Sequence, residues 1–278
     1  MCIRDRHTKL PGVRLNMTNR IDTTLTAAKA NGRAILSPYV TIGYPDLSTS
    51  IDIATAMLDA GADMLEIGVP FSDPLADGPT VQRTSYLALE NGVTVTSCLE
   101  AVSELRSRGI TAPLAMMGYY NPFLHYGPEA LIKDAASAGV DGLIVPDLPL
   151  EEATELQALC KDYKVRMIHF VALTSTDDRI AKICTVAEGF IYCVAVLGVT
   201  GARTMIRSDV RDQVAKVRKH TEVPVLQGFG VSTREHINEI REYADGAIVA
   251  SAILDAVSNV PNKQAAQTAS TFVRELLR

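Results

Sequence analysis

Apolar residues fall along this chain in short continuous runs separated by stretches of helical periodicity. Eight runs recur, at 36–42, 64–68, 113–117, 142–145, 167–172, 190–196, 223–227 and 247–250. A strand that is apolar throughout, rather than at every second position, is buried on both faces, which a parallel sheet covered by helices demands. The segments between them read as amphipathic helices. Between the first two runs Ile51, Ala54, Met57 and Leu58 share one face, with Ser48 or Thr49 available as a cap and Gly61 as a terminator. Eight strand–helix units in 278 residues predict an α/β fold, the TIM (β/α)8 barrel.

Two flanking segments complete the pattern. Residues 18–32 carry Ile21, Leu25 and Ala28 at helical spacing and stop at Asn31-Gly32, which predicts an extra N-terminal helix plugging the bottom of the barrel. Residues 263–278 place Phe272, Val273 and Leu276 on a helical pattern and would be the last outer helix. Residues 1–16 lack the apolar core of an export signal and are expected to be a non-native or disordered extension, with the natural start at Met17. Residues 17–278 would then be a single TIM-barrel catalytic domain, since no linker or low-complexity tract divides them.

The turns before Asp63, Asp141 and Asp245 echo one another as Ala60-Gly-Ala-Asp63, Ala138-Gly-Val-Asp141 and Ala244-Asp-Gly246. The 104 residues from Asp141 to Asp245 cover four units and the 78 from Asp63 to Asp141 only two, which leaves about 26 surplus residues between the second and fourth strands. The Pro/Asp-rich segment after Glu66 is the expected insertion. Loops leaving the C-terminal ends of barrel strands build the active site, so the insertion lies on the chemical face.

Composition narrows the partners. A formal net charge of −5 gives no electrostatic case for nucleic acid or an anionic membrane surface. No apolar run approaches the ~18 residues that span a bilayer. Five cysteines without a Cys-x-x-Cys pair suit reduced thiols and a cytoplasmic location, and five scattered histidines offer no metal-ligand spacing.

The candidate chemistry centres on Glu66 and Asp77. A carboxylate inside Met64-Leu-Glu-Ile-Gly68 is desolvated unless it is paired or faces a cavity, and desolvation raises its pKa toward the range useful for proton transfer. Asp73 and Asp77 follow in the next loop; the bland alternative makes Glu66 a satisfied strand carboxylate and both aspartates turn formers. Late in the chain, glycine-bearing strand ends make Gly201, Gly230 and Ser251 candidate phosphate ligands, because main-chain N–H groups there can cradle an anion. The segment from Thr200 to Asp209 reads as a long lid loop.

Five motifs give the chain a family resemblance. Leu65-Glu-Ile-Gly-Val-Pro-Phe-Ser-Asp-Pro-Leu-Ala-Asp-Gly-Pro-Thr-Val-Gln82, Asn121-Pro-Phe, Val145-Pro-Asp-Leu-Pro, Gly198-Val-Thr-Gly-Ala202 and Gly228-Phe-Gly-Val-Ser232 together resemble the α subunit of tryptophan synthase. The resemblance implies a barrel that cleaves indole-3-glycerol phosphate to indole and glyceraldehyde 3-phosphate. It implies no cofactor in this chain, and a pyridoxal-phosphate β subunit as partner in an α2β2 complex. It assigns Asp77 to the indole nitrogen and Glu66 to protons at C3 and the glycerol hydroxyl. Tyr39, Tyr119 and Thr200 would line or close the pocket, Gly201, Gly230, Ala250 and Ser251 would hold phosphate, and Asp73 and Asn121 would lie at the partner interface.

The chain departs from the family pattern at Val196 and Leu197, at Ala250 in place of a frequent glycine, and at Tyr39 where phenylalanine is common. The alternatives are a stand-alone lyase, a sugar-phosphate isomerase or aldolase, and a non-catalytic regulatory barrel. No lysine lies in the eight runs to form a Schiff base, and retention of Glu66 and Asp77 opposes a purely regulatory role.

Overall fold

A computed structural model describes residues 19–194, 203–228 and 230–278, without the side chains of 203–208. The expectations for residues 1–16, Val196, Leu197, Thr200 and Gly201 lie outside the described residues. Eight parallel strands close into a barrel in sequence order: β1 (Ile35–Thr41), β2 (Leu65–Gly68), β3 (Leu114–Met117), β4 (Gly142–Ile144), β5 (Arg166–Ala172), β6 (Ile191–Val194), β7 (Val225–Gly228) and β8 (Gly246–Val249). The eight predicted runs are these eight strands, with ends shifted by a residue or two.

The first half of the outer layer comprises α1 (Arg20–Ala30), α2 (Leu47–Asp59), α3 (Pro79–Glu90), α4 (Val95–Ser107), α5 (Tyr120–Tyr126) and α6 (Pro128–Ala138). The second half comprises α7 (Thr154–Asp162), α8 (Asp177–Val186), α9 (Arg203–Arg218), α10 (Arg234–Ile240), α11 (Ser251–Ser258) and α12 (Asn262–Leu277). The surplus between the second and fourth strands is therefore shared: β2 and β3 are joined through two helices, α3 and α4, and the short α5 precedes α6 after β3.

Helix α1 plugs the barrel as its spacing predicts. Ile21, Leu25 and Ala28 are buried against inward side chains of the strands, among them Ile35, Met64, Ala115, Ile144 and Ile168. Its cap, Asn19, does double duty: the side-chain oxygen accepts the Ile21 N–H at 2.8 Å, while the amide donates to the carbonyls of Asp141 at 2.8 Å and Lys164 at 2.9 Å. A methyl at Gly142 would lie 2.7 Å from Ile21 Cδ1, so a glycine in β4 makes room for the plug.

The repeated Asp turns form clips at this same end. The Oδ2 atoms of Asp63, Asp141 and Asp245 accept the backbone N–H of Leu36 (2.8 Å), Leu114 (2.9 Å) and Val225 (2.7 Å), each at the start of the preceding strand. Every clip also meets an arginine: Arg33 at 2.6 Å, Arg106 at 2.7 Å with Arg20 at 2.9 Å, and Arg218. The sequence echo is thus an electrostatic device that ties β1 to β2, β3 to β4 and β7 to β8.

Two local expectations are corrected. The cap of α2 is Asp46, whose Oδ1 accepts the Thr49 N–H at 2.8 Å, rather than Ser48 or Thr49; the carboxylate reaches the same orphan donor from one residue outside the helix. Helix α9 begins at Arg203, so most of the segment read as a loop up to Asp209 is helical. Its apolar anchors Val210, Val214 and Val217 lie further along, but Ile206 precedes Val210 by four residues, a helical spacing that the loop reading passed over.

Candidate active site

Met64, just before β2, points into the barrel while Leu65 and Ile67 face the outer helices, so the alternation puts Glu66 and Gly68 at inward positions of the strand. Glu66 therefore projects into the barrel interior. It is 1% exposed, and among the described residues its Oε1 has no hydrogen-bond partner. Burial, with a smaller contribution from the charge of Asp77, pushes its carboxyl up to about 8.

Asp77 lies in the loop between β2 and α3, next to Gly78, the cap residue of α3. Its backbone is held on both sides: the N–H donates to the Pro74 carbonyl at 3.0 Å and the carbonyl accepts from Gln82 Nε2 at 2.9 Å. Burial raises its carboxyl to about 6, against a hydrogen bond from the Tyr119 hydroxyl that favours the ionised form. The two acids thus couple electrostatically yet differ in proton affinity, the pattern that separates an acid from a base in one site.

Tyr119 lies two residues beyond β3 and is the cap residue of α5, where the Tyr120 N–H donates to Asp147 Oδ1 at 2.9 Å and fastens the helix start to the loop after β4. The Tyr119 ring stacks on Phe71 with centroids 5.3 Å apart, and its hydroxyl accepts the Ala76 N–H at 2.9 Å. Phe71 is itself fixed, since its N–H donates to Ser85 Oγ at 2.8 Å and its carbonyl accepts from that hydroxyl at 3.1 Å.

Tyr39 faces inward from β1, opposite Glu66 in the strand register. A methyl at Gly68 would lie 2.0 Å from the Tyr39 hydroxyl oxygen, so the ring leans across the end of β2 over a residue that has to lack a side chain. Tyr39 packs with Val81 and Leu254, and Ala250 borders this group. That contact joins the acid end of the mouth to the end of β8.

Ala250 is the cap residue of α11 and Ser251 its exposed first residue. Ile253 and Leu254 both donate to the Ala250 carbonyl at 3.1 Å, and among the described residues no side chain caps this N-terminus. Gly230, in the loop after β7, has a φ of +72°, a conformation suited to glycine. Asp73 and Asn121 are exposed on the loop before α3 and on the first turn of α5. Near them Leu75 is 92% exposed and Leu124 52% exposed.

Sequence reasoning missed Tyr192. It projects inward from β6, tilts against Phe170 with centroids 4.9 Å apart, and its hydroxyl is held protonated by burial and by the charges of Glu66 and Asp77. A methyl at Gly228 would lie 2.2 Å from its Cε1, the same ring-over-glycine arrangement as Tyr39 and Gly68. The signal was the alternation Phe190-Ile-Tyr192, whose odd partners are inward, together with a glycine at the end of the neighbouring strand.

A profile of the family described as tryptophan synthase alpha chain matches residues 25–277. The tryptophan synthase alpha chain of Roseiflexus castenholzii is 49% identical over 93% of this chain and 99% of its own length. The chain belongs to the tryptophan synthase alpha chain family. A longer relative, the tryptophan synthase of Saccharomyces cerevisiae, is 40% identical over 94% of this chain and 37% of its own length. Among solved structures of the family, the alpha subunit from Legionella pneumophila superposes with a TM-score of 0.86 at 31% identity, covering 94% of this chain and 97% of that one. The aminoacrylate-bound tryptophan synthase of M. tuberculosis gives 0.84 at 34% identity, over 93% and 98%. Membership makes the chain a lyase of tryptophan biosynthesis.

Proposed function

We propose that the barrel mouth performs the family's reaction, retro-aldol cleavage of indole-3-glycerol phosphate to indole and glyceraldehyde 3-phosphate, with Glu66 and Asp77 as its acid–base pair. The observation that carries the assignment is the unequal tuning of two coupled carboxyls, both raised by burial but to different extents, to about 8 and about 6. At neutral pH Glu66 holds its proton and Asp77 is ionised. Glu66 delivers that proton to indole C3 as Asp77 takes the N–H proton, giving the indolenine. Glu66, now a carboxylate, removes the proton of the glycerol hydroxyl beside the scissile bond. The electrons of that O–H bond form the aldehyde, those of the carbon–carbon bond pass into the ring, and Asp77 returns its proton to nitrogen. Both side chains end as they began, and such acid–base catalysis contributes ~10²–10⁴-fold.

Tyr39 and Tyr119 would flank the indole, with Tyr119 also orienting Asp77. Gly230, Ala250 and Ser251, with Gly201, would meet the phosphate, aided by the partial positive charge at the start of α11, and Thr200 would line or close the substrate pocket. The methyl of Ala250 narrows the approach without removing its N–H. Asp73 and Asn121, beside exposed Leu75 and Leu124, would form the docking surface for a tryptophan synthase β subunit in an α2β2 complex. Indole would then pass to pyridoxal-phosphate chemistry in that partner. Among the described residues no helix is long and apolar enough to cross a membrane, in keeping with a cytoplasmic place of action. Indole release by the purified chain, measured with and without added β subunit, tests the assignment: cleavage strengthened by the partner supports it, and no cleavage under either condition refutes it.

A further inference from the structure

The helix that follows Asp77 is tied to the helix that follows β8. Thr80, in the first turn of α3, donates to Asp255 Oδ1 of α11 at 3.0 Å. Arg83, one turn further along α3, places Nη2 3.5 Å from the same oxygen and donates to Ser258 Oγ at 2.9 Å. Ser258 also accepts the Tyr44 O–H from the loop after β1 at 2.8 Å, and gives its own proton to the Leu254 carbonyl at 2.6 Å. At the far end of α3, Asn91 Nδ2 donates to the carbonyls of Gly43 and Pro45 in that same β1 loop, at 3.0 and 2.8 Å.

An apolar layer lies beneath these polar contacts. Val81 and Leu254, the sequence neighbours of Thr80 and Asp255, are buried together with Tyr39. Arg83 and Asp255 lie outside that layer with half-exposed side chains. Side-chain hydrogen bonds are directional, so they fix which turn of one helix faces which turn of the other. Asp77 sits two residues before α3, and Ala250 and Ser251 stand at the start of α11. The spacing between the acid and the anion-facing turn therefore follows the register of α3 against α11.

We propose that Asp255 is a positioning residue for the cleavage reaction: with Thr80 and Arg83 it locks α3 to α11 and so sets the distance between Asp77 and the phosphate seat. A substrate with its ring on Asp77 and its phosphate on α11 spans both helices. A change of register then misaligns the indole N–H against Asp77, whereas a ligand that occupies one end alone does not sense it. Asp255 acts through the two helices rather than on the substrate. This inference rests on the roles given above to Asp77 and to the start of α11, and adds what keeps the two in step.

The experiment compares wild type with Asp255→Ala, Asp255→Asn, Thr80→Val and the double variant of Thr80→Val with Asp255→Ala. It reads kcat and KM for indole release, and the inhibition constant of glycerol 3-phosphate, which reaches the phosphate end only. Asp255→Ala should lower kcat/KM about fivefold, the scale of a half-exposed charged contact, and leave the inhibition constant unchanged. Asp255→Asn keeps an acceptor at Oδ1 and should recover most of the loss. Thr80→Val should lose less than Asp255→Ala, and the double variant no more than Asp255→Ala, since both changes cut the same link. Wild-type kcat/KM in Asp255→Ala overturns the inference. So does a parallel loss of glycerol 3-phosphate binding without recovery in Asp255→Asn, the mark of a loosened helix rather than a lost register. Full activity in Asp77→Asn, by contrast, overturns the assignment beneath it, whatever Asp255 does.

Discussion

The Tyr119 hydroxyl accepts the Ala76 N–H at 2.9 Å on the loop after β2 and, beside Asp77, favours the ionised form of that carboxyl. One side chain just beyond β3 thereby holds the backbone beside Asp77 and lowers the proton affinity of that acid. Tyr119→Phe removes that hydroxyl and leaves the ring on Phe71. The acid limb of kcat/KM should rise by about one pH unit, with the fold unchanged by circular dichroism.

Glu66→Gln keeps the shape and removes the proton-transfer function. Turnover should fall by at least ~10²–10⁴-fold while binding of a glycerol-phosphate analogue is retained. Wild-type-like indole release from this variant would exclude Glu66 from the chemistry.

In the wild type the productive state pairs protonated Glu66 with ionised Asp77. Activity should rise as Asp77 loses its proton near pH 6 and fall as Glu66 loses its own near pH 8, giving a bell. A profile that climbs steadily to pH 10 would exclude protonated Glu66 from the productive state.

The same tuning predicts a stability cost. Glu66 has a higher pKa folded than unfolded, so between about 4.5 and about 8 the native state binds more protons, and stability falls as pH rises through that window. Glu66→Gln has no proton to lose. It should exceed wild type at pH 9 by on the order of 3 kcal/mol, read as several degrees of Tm, and lose that advantage near pH 4. Equal melting of the two proteins at both pH values would contradict the buried, unpartnered carboxyl.

At the opposite end, Asp141 is almost fully buried between two arginines and the Leu114 N–H. Asp141→Ala strands the Arg106 charge and should cost about 3–5 kcal/mol in denaturant unfolding. Breaking the exposed pair Arg108–Asp52 by Asp52→Ala should cost under about 1 kcal/mol. The folded fraction of Asp141→Ala should turn over normally, since the clip lies away from the mouth.

The barrel was legible because each strand is buried on both faces, and burial leaves an unbroken apolar run. The pair Glu66 and Asp77 was visible as charge in costly surroundings. What escaped detection was set by contacts across the barrel. Tyr192 lies on a strand that reads as core, and only the neighbouring Gly228 reveals that its ring turns toward the acids. The early start of α9 was legible in the spacing of Ile206, Val210 and Val214 and was passed over, whereas the cap of α2 was obscured by two hydroxyl residues close to Asp46 that suit the role equally well. The Asp echo was readable as a repeat, but its meaning required the N–H groups of the preceding strands, which a linear sequence does not bring together.

The three aspartate clips and the plugging helix fasten one rim, and the acids and anion-facing turns occupy the other. Cohesion and chemistry are therefore drawn from separate sets of side chains. An engineer reshaping the open rim for a bulkier aryl substrate could alter Tyr39, Tyr192 and their two glycines as matched pairs while leaving every clip in place, and the scaffold should tolerate the change.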